Sequence, residues 1–147
     1  MTKSQAKSTE ALAGELRVGV GLLLRRLRQA PTGDDLTLPE SSALARLDRY
    51  GPATASELAK REQISPQSMG ATTAALEARG LVRRTADPDD GRRQILSLTK
   101  AGQEALRGRR DAKTKVMAAA LDAEFSAEEL KRLRAAAPLI ERLAQGI

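Results

Sequence analysis

Residues 65–99, SPQSMGATTAALEARGLVRRTADPDDGRRQILSLT, decide the fold. Ser65 is a good helix N-cap and Pro66 is pre-set for the first helical position. The helix predicted over 66–79 runs through Met69, Thr72, Thr73 and Leu76 to Arg79, and Gly80 supplies a left-handed stop. Leu81-Val82-Arg83-Arg84-Thr85 then reads as a short strand. Asp87-Pro88-Asp89-Asp90-Gly91-Arg92-Arg93 is turn-rich and charge-dense, and Gln94-Ile95-Leu96-Ser97-Leu98 returns as a second strand, closing a hairpin over 81–98. A polar helix followed by a hairpin with an arginine-bearing tip is what a winged helix-turn-helix needs. The helix enters the major groove of DNA and the wing tip reaches into the adjacent minor groove. Met69 and Leu76 fit the core. Gly70 is either a tolerated flaw in the helix or space for close approach of DNA.

The chain before this stretch completes the motif. Thr54-Ala55-Ser56-Glu57 fits the capping-box pattern and starts a short helix with Leu58 and Ala59 inward. Glu62-Gln63-Ile64 is the turn, with Ile64 expected as its apolar pin. An earlier helix begins at Pro39-Glu40, buries Leu44 and Leu47, and ends at Tyr50-Gly51-Pro52, so residues 38–99 form the DNA-reading region.

Helices flank that region on both sides. Residues 1–8 are polar and expected to fray; Leu12, Leu16, Val20, Leu23 and Leu27 then form a helical stripe within 9–30. Gly19 and Gly21 inside this helix lack the third glycine and preceding strand of a dinucleotide loop. Close approach of another helix, such as a twin from a second subunit, is the better reading. Arg25, Arg26 and Arg28 fit a solvated face better than a membrane-surface helix. After the wing, Thr99-Lys100-Ala101-Gly102 opens a long helix to about Asp122, with Ala105, Ala112, Val116 and Ala120 as its stripe and Leu106 and Met117 beside it. Its Arg107, Arg109, Arg110, Lys113 and Lys115 read as a solvated basic face, with phosphate contact the alternative. Ser126-Ala127-Glu128-Glu129 is another capping-box pattern, opening a helix whose seam is Leu130, Leu133, Ala137, Ile140 and Ala144. Pro138 is expected to kink it. The fold class is therefore mainly α with a small β-hairpin wing, a single domain over 1–147. Its terminal helices, 9–30 and 100–146, are assigned to dimerisation.

Composition narrows function. Lys and Arg number 25 against 19 Asp and Glu, a net charge of +6 that favours nucleic acid or another anionic surface. With no cysteine and no histidine, the chain lacks a thiolate nucleophile, a disulfide framework, the usual general base and the commonest metal ligand. No metal and no cofactor is expected. Tyr50 and Phe125 are the only aromatic residues, too few for a base-stacking single-strand binder. No apolar run approaches a membrane span, and the polar N-terminus has no signal-peptide core, which predicts a cytoplasmic, nucleoid-associated protein.

The run from Asp87 through Gly102, with Asp90, Arg92, Leu96, Leu98, Thr99 and Gly102 in order, resembles the D-x-R…L-x-L-T-x-x-G signature of the MarR family of bacterial regulators. The resemblance extends back through Leu76-Glu77-Ala78-Arg79-Gly80-Leu81-Val82-Arg83-Arg84. It implies a homodimer intertwined through its terminal helices, double-stranded DNA with an inverted-repeat operator as partner, and repression relieved by a small aromatic or phenolic ligand. It also implies that Asp90 braces the wing, that Arg92 inserts into the minor groove, and that Arg84 and Arg93 join it. Many members carry a basic side chain early in the recognition helix, and here there is none. Base reading then falls to Ser65, Gln67, Ser68, Gly70, Thr72 and Thr73, with Gln67 suited to adenine. Family placement offers Arg17, Leu24, Arg28 and Tyr50 as ligand-pocket residues.

Two other readings share these features. An architectural DNA binder would keep the wing and charge but discriminate weakly between sequences. A winged-helix protein-docking module would not need Arg92. An enzyme is remote, because Asp87, Asp89 and Asp90 sit beside arginines at a turn rather than forming a catalytic pair.

Overall fold

In a computed structural model, which describes residues 2–147, the chain runs α1 (Lys3–Gln29), α2 (Leu38–Tyr50), β1 (Ala53–Thr54), α3 (Ala55–Glu62), α4 (Pro66–Ala78), β2 (Val82–Ala86), β3 (Gln94–Leu98), α5 (Lys100–Glu124) and α6 (Ala127–Gln145). Side-chain hydroxyls start the helices from α2 onward. Thr37, Thr54 and Ser126 each form a full capping box with Glu40, Glu57 and Glu129, while Ser65 and Thr99 accept from the amides of Ser68 and Gly102. The stop after α4 is Gly80 at φ 71°, a conformation that L side chains resist.

Several expectations need correction. Residues expected to fray are helical from Lys3 onward. The Thr37 box was unread in the sequence, as was β1, whose two residues pair antiparallel with β3 (Ala53 with Leu96, Thr54 with Ile95). The wing is therefore the outer part of a three-stranded sheet ordered β1-β3-β2, with Val82 opposite Leu98 and Thr85 opposite Ile95. Ile64 is not an apolar pin but is exposed. The α3–α4 turn is held instead by left-handed Gln63 and by backbone N–H donation from Gln63 to Lys60 and from Ile64 to Ala59. Arg109 does not belong to the solvated face of α5. It is 8% exposed and donates to the Asp34 carboxylate at 2.7 Å and to the Thr32 hydroxyl at 2.8 Å, tying the α1–α2 loop to α5. Burial pushes the Asp34 carboxyl up, but the Leu36 amide, the Thr32 hydroxyl and the Arg109 guanidinium outweigh it and hold the group below its usual range.

One core unites α2, α3, α4, the sheet and the start of α5. Leu44, Leu58, Met69, Leu76 and Leu96 are all essentially inaccessible, with Leu47, Val82 and Leu106 beside them. Each fully buried side chain of this kind stabilises by about 1.5–3 kcal/mol. The α5 helix enters this core at Gly102, where an added Cβ would lie 2.1 Å from the Leu81 carbonyl oxygen. By contrast α1 and α6 contain no buried residue, and α6 runs unbroken through Pro138. Gly19 and Gly21 of α1 face open space, so no helix of the same chain makes the close approach expected of them.

Gly102→Ala forces backbone to move away from Leu81 and should lower stability by about 2–3 kcal/mol, read as a drop in Tm with helicity retained. Arg109→Ala strands the Asp34 carboxylate and should cost roughly 2–3 kcal/mol, somewhat less than a fully buried pair because Asp34 keeps 21% side-chain exposure. Because the Asp34 pKa is depressed on folding, its contribution is present at neutral pH. It fades only as the pH falls below about 4 and through the lower folded value. Thermal melts should therefore show the gap between wild type and Asp34→Asn narrowing as the pH is lowered through that range.

Candidate nucleic-acid interface

The sequence of α4 alternates sides. Met69, Thr73 and Leu76 face the core, at 1%, 1% and 0% exposure. Ser65, Gln67, Ser68 and Ala71 stay exposed, and Gly70 and Thr72 are half-buried. This corrects one expectation: Thr73 cannot address a base, because its side chain is enclosed and its hydroxyl donates to the Gly70 carbonyl at 3.2 Å. The Thr72 hydroxyl donates to the Ser68 carbonyl, and the Ser65 and Ser68 hydroxyls bond to each other at 2.9 Å. Local bonds thus order the outer face of α4 before any ligand arrives. Gly70 has nothing within 4 Å of the position a Cβ would take, so no atom of this chain requires the glycine.

The wing tip is a closed turn built from aspartates. The Asp87 amide donates to the Arg93 carbonyl, the Arg93 amide donates to the Asp90 carbonyl, and the Asp90 carboxylate accepts from the Arg92 amide at 3.1 Å. The Asp87 carboxylate accepts in the same way from the Asp89 amide at 2.9 Å. These Asx-type bonds fix the backbone from which the arginines project. Their side chains differ in commitment. Arg84 pairs with Glu77 of α4 at 3.2 Å, and Arg93 pairs with Glu57 of α3 at 2.8 Å and more loosely with Asp87 at 3.9 Å. Arg92 makes no ion pair among the described residues and is exposed. Sequence reasoning gave Lys60 no role and Glu57 only its place in the α3 cap. The signal for both was their place on α3, the first helix of the motif, which crosses the DNA backbone in this class of reader.

A separate open cavity of about 630 Å³ lies between α2 and α5, bordered by Arg28, Arg46, Glu62, Ile64, Arg109 and Lys113 among others. Of the four residues expected in a ligand pocket only Arg28 borders it. Arg17 sits roughly 16 Å further up α1 by helical rise, and Leu24 is 48% exposed one turn before Arg28. The Tyr50 ring lies instead among the guanidiniums of Arg46, Arg49 and Arg61, 4.9–5.9 Å from its centre. Cationic groups dominate one wall of the cavity. Burial, together with the charges of Arg109 and Arg28, pushes the Lys113 ammonium pKa down. On the opposite wall burial raises the Glu62 carboxyl, but bonds from Arg46 and from Ser42 hold it below its usual range. No group of acidic side chains among the described residues is placed to hold a metal ion, and no helix is long and apolar enough to cross a membrane.

The MarR family profile matches residues 36–93, from the end of the α1–α2 loop to the wing. An uncharacterized HTH-type transcriptional regulator of Mycobacterium bovis is 35% identical over 133 residues, covering 90% of this chain and 92% of that one. An HTH-type transcriptional repressor of Mycobacterium tuberculosis is 31% identical over 126 residues, covering 85% and 90%. A crystal structure described as a transcriptional regulator protein from Pseudomonas aeruginosa superposes with a TM-score of 0.76 at 32% identity, covering 95% and 96%. A capped recognition helix, an aspartate-closed arginine wing and relatives matched over nearly their whole length agree: the chain belongs to the MarR family, as a winged helix-turn-helix, DNA-binding transcriptional regulator and not an enzyme.

Proposed function

We propose that the chain is a homodimeric, sequence-specific repressor that binds an inverted-repeat operator and is released by a small anionic aromatic ligand. The observation that carries the reading is the division of labour on α4 and the wing. One face of α4 is locked into the core by Met69, Thr73 and Leu76, while Gln67, Ser68 and Thr72 stand on the other, and the wing tip carries an uncommitted Arg92. Gln67 suits adenine, and the serine and threonine hydroxyls suit either base of a pair, in the major groove. Arg92 suits the enhanced negative potential of a narrow, A/T-rich minor groove. The repressor function of a relative supports the direction of regulation.

Dimerisation is supported by the terminal helices. Leu12, Val18, Leu22, Leu23, Leu133, Ile140 and Leu143 are each 42–61% exposed in the single chain, an apolar surface that a second copy would cover. An isologous pair would place two recognition helices about 34–36 Å apart, one DNA turn. The ligand reading is supported by the cavity beside Arg28, Arg109 and Lys113, whose cations could receive a carboxylate while its apolar lining takes a ring. A ligand there acts only if it favours a dimer whose helix separation does not match the operator.

The test is fluorescence anisotropy with duplex DNA from immediately upstream of the chain's own gene, against an unrelated duplex of equal length. Wild type should prefer the first by about 10³-fold or more. Arg92→Ala should weaken binding by about 1–3 kcal/mol, roughly 5- to 150-fold. Equal binding to both duplexes would favour an architectural role, and an Arg92→Ala variant of unchanged affinity would overturn the minor-groove assignment. Sedimentation should show a dimer for wild type and a shift toward monomer for Ile140→Asp, with the winged core still folded by circular dichroism.

A further inference from the structure

An open groove separates α3 from the wing, bordered on one side by Ser56, Glu57 and Lys60 and on the other by Arg84, Arg92 and Arg93. Four cations thus surround one acid. Arg84 is drawn toward Glu77 outside the groove, whereas Lys60 has no ion-pair partner among the described residues. Glu57 uses its two carboxylate oxygens differently. Oε2 accepts from the Thr54 amide at 3.2 Å and completes the cap of α3, and Oε1 reaches across the groove to the Arg93 guanidinium at 2.8 Å. A carboxylate oxygen on one guanidinium nitrogen, in a groove that the unpaired Lys60 also borders and at the first turn of a helix, occupies a place that a phosphate oxygen could take.

We propose that this groove seats a backbone phosphate of the bound DNA, with Lys60 and Arg93 as its ligands and Glu57 as an internal stand-in that the phosphate displaces. The inference rests on the DNA-binding reading and extends it from the base-reading helix to α3. Both Arg93 and Glu57 are about half exposed, so exchanging the carboxylate for a phosphate requires only side-chain rotation. Arg93 stays oriented meanwhile by Asp87, 3.9 Å from its Nε. The stand-in keeps the guanidinium extended across the groove without DNA, so less side-chain freedom is lost on binding. It also raises a small barrier, because the ion pair must open. Phosphate contacts carry no sequence information, so this site sets register and affinity rather than specificity.

The salt dependence of binding tests this directly. Anisotropy titrations of the full-length protein at several salt concentrations, on its upstream duplex and on an unrelated one, give the slope of log affinity against log salt for wild type and Lys60→Ala. One phosphate contact contributes about 0.9 to that slope. Lys60→Ala should flatten it by about one and weaken binding by the same factor on both duplexes. Glu57→Gln keeps a side chain that can cap α3 but removes the competing charge, and should tighten binding on both duplexes by about two- to fivefold. An unchanged slope for Lys60→Ala, a loss confined to the upstream duplex, or weaker binding by a folded Glu57→Gln variant would each overturn the phosphate site. Failure of wild type to bind either duplex at low salt would instead remove the DNA reading on which the site depends, so the two failures are distinguishable.

Discussion

The carbonyl of Leu81 is the point on which the DNA-reading unit hangs. It accepts from the Thr99 amide at 3.1 Å, and Gly102 of α5 packs so closely over it that no side chain fits between. One residue earlier, the Gly80 carbonyl accepts from the Thr99 hydroxyl at 2.6 Å, and the same hydroxyl accepts from the Gly102 amide. The Leu81 amide, in turn, donates to the Leu76 carbonyl at the end of α4. Four elements meet here: the last turn of α4, the residue that leads into β2, the end of β3 and the first turn of α5. This explains in physical terms why the wing is followed by Leu-Thr-x-x-Gly. Leucine supplies burial, threonine both caps the helix and bonds the preceding turn, and glycine permits contact of backbone on backbone. Because each partner is backbone or a short side chain, the junction has little freedom. The start of the long helix α5 and the end of the recognition helix are therefore held in one fixed relation.

Legibility in the sequence follows the range of the interactions involved. Local chemistry was readable: Thr54 with Glu57, Ser126 with Glu129, Ser65 before Pro66, and Gly80 after Arg79 all act within four residues, and the structure has each where the pattern predicted it. The core residues Leu44, Leu47, Leu58, Met69 and Leu76 were also recoverable, since helical spacing alone turns them to one side. The Thr37–Glu40 box is the local pattern that was missed, and most of the rest was decided by partners far away in sequence. Arg109 looked like one more cation in a basic run, and only Asp34, 75 residues earlier, makes it a buried tie. The two residues of β1 are too short to carry a period, and they are strand only because β3 lies beside them. Thr72 and Thr73 show the finest limit: neighbours of identical type, one half-buried and one enclosed, separated by the 100° that one helical step turns. The candidate site was therefore legible as a segment, but not residue by residue.

Net charge said little about where the cations work. Six arginines are already paired internally, each with one acid, which leaves the net excess untouched but decides which cations are free: Arg46 to Glu62, Arg79 to Glu40, Arg84 to Glu77, Arg93 to Glu57, Arg109 to Asp34 and Arg110 to Asp48. The pairs in this set have different weights. Most are partly exposed and contribute at most about 1 kcal/mol each, so their main effect is to orient side chains. The Arg109–Asp34 pair is the one whose arginine is withdrawn from water, and it holds the loop between α1 and α2 against α5. Against this background Arg92 stands out by position: of the wing's four arginines, Arg84 and Arg93 are engaged by glutamates of the helix-turn-helix, and of Arg83 and Arg92, which have no ion pair among the described residues, Arg92 is the one at the tip.

The cavity between α2 and α5 takes its meaning from that same distribution. Its floor includes Met69 and Leu106 of the core, and its rim carries the ends of two ion pairs, Arg46–Glu62 joining α2 to α3 and Arg109–Asp34 joining α5 to the preceding loop. An anion entering there meets Arg46 and Arg109, which already hold structural partners, and Arg28 and Lys113, which have no ion pair among the described residues. Where it engages Arg46 or Arg109 it redistributes hydrogen bonds that position α3 on one side and α5 on the other. Since the Leu81 junction couples α5 to both α4 and the wing, a small shift at the rim has a short, stiff route to the surfaces assigned to DNA. An apolar ligand alone would have no such leverage: it could fill the space above Met69 and Leu106 but would leave both ion pairs intact. On this argument charge, more than ring size, decides whether a compound in the cavity can influence the reading helix.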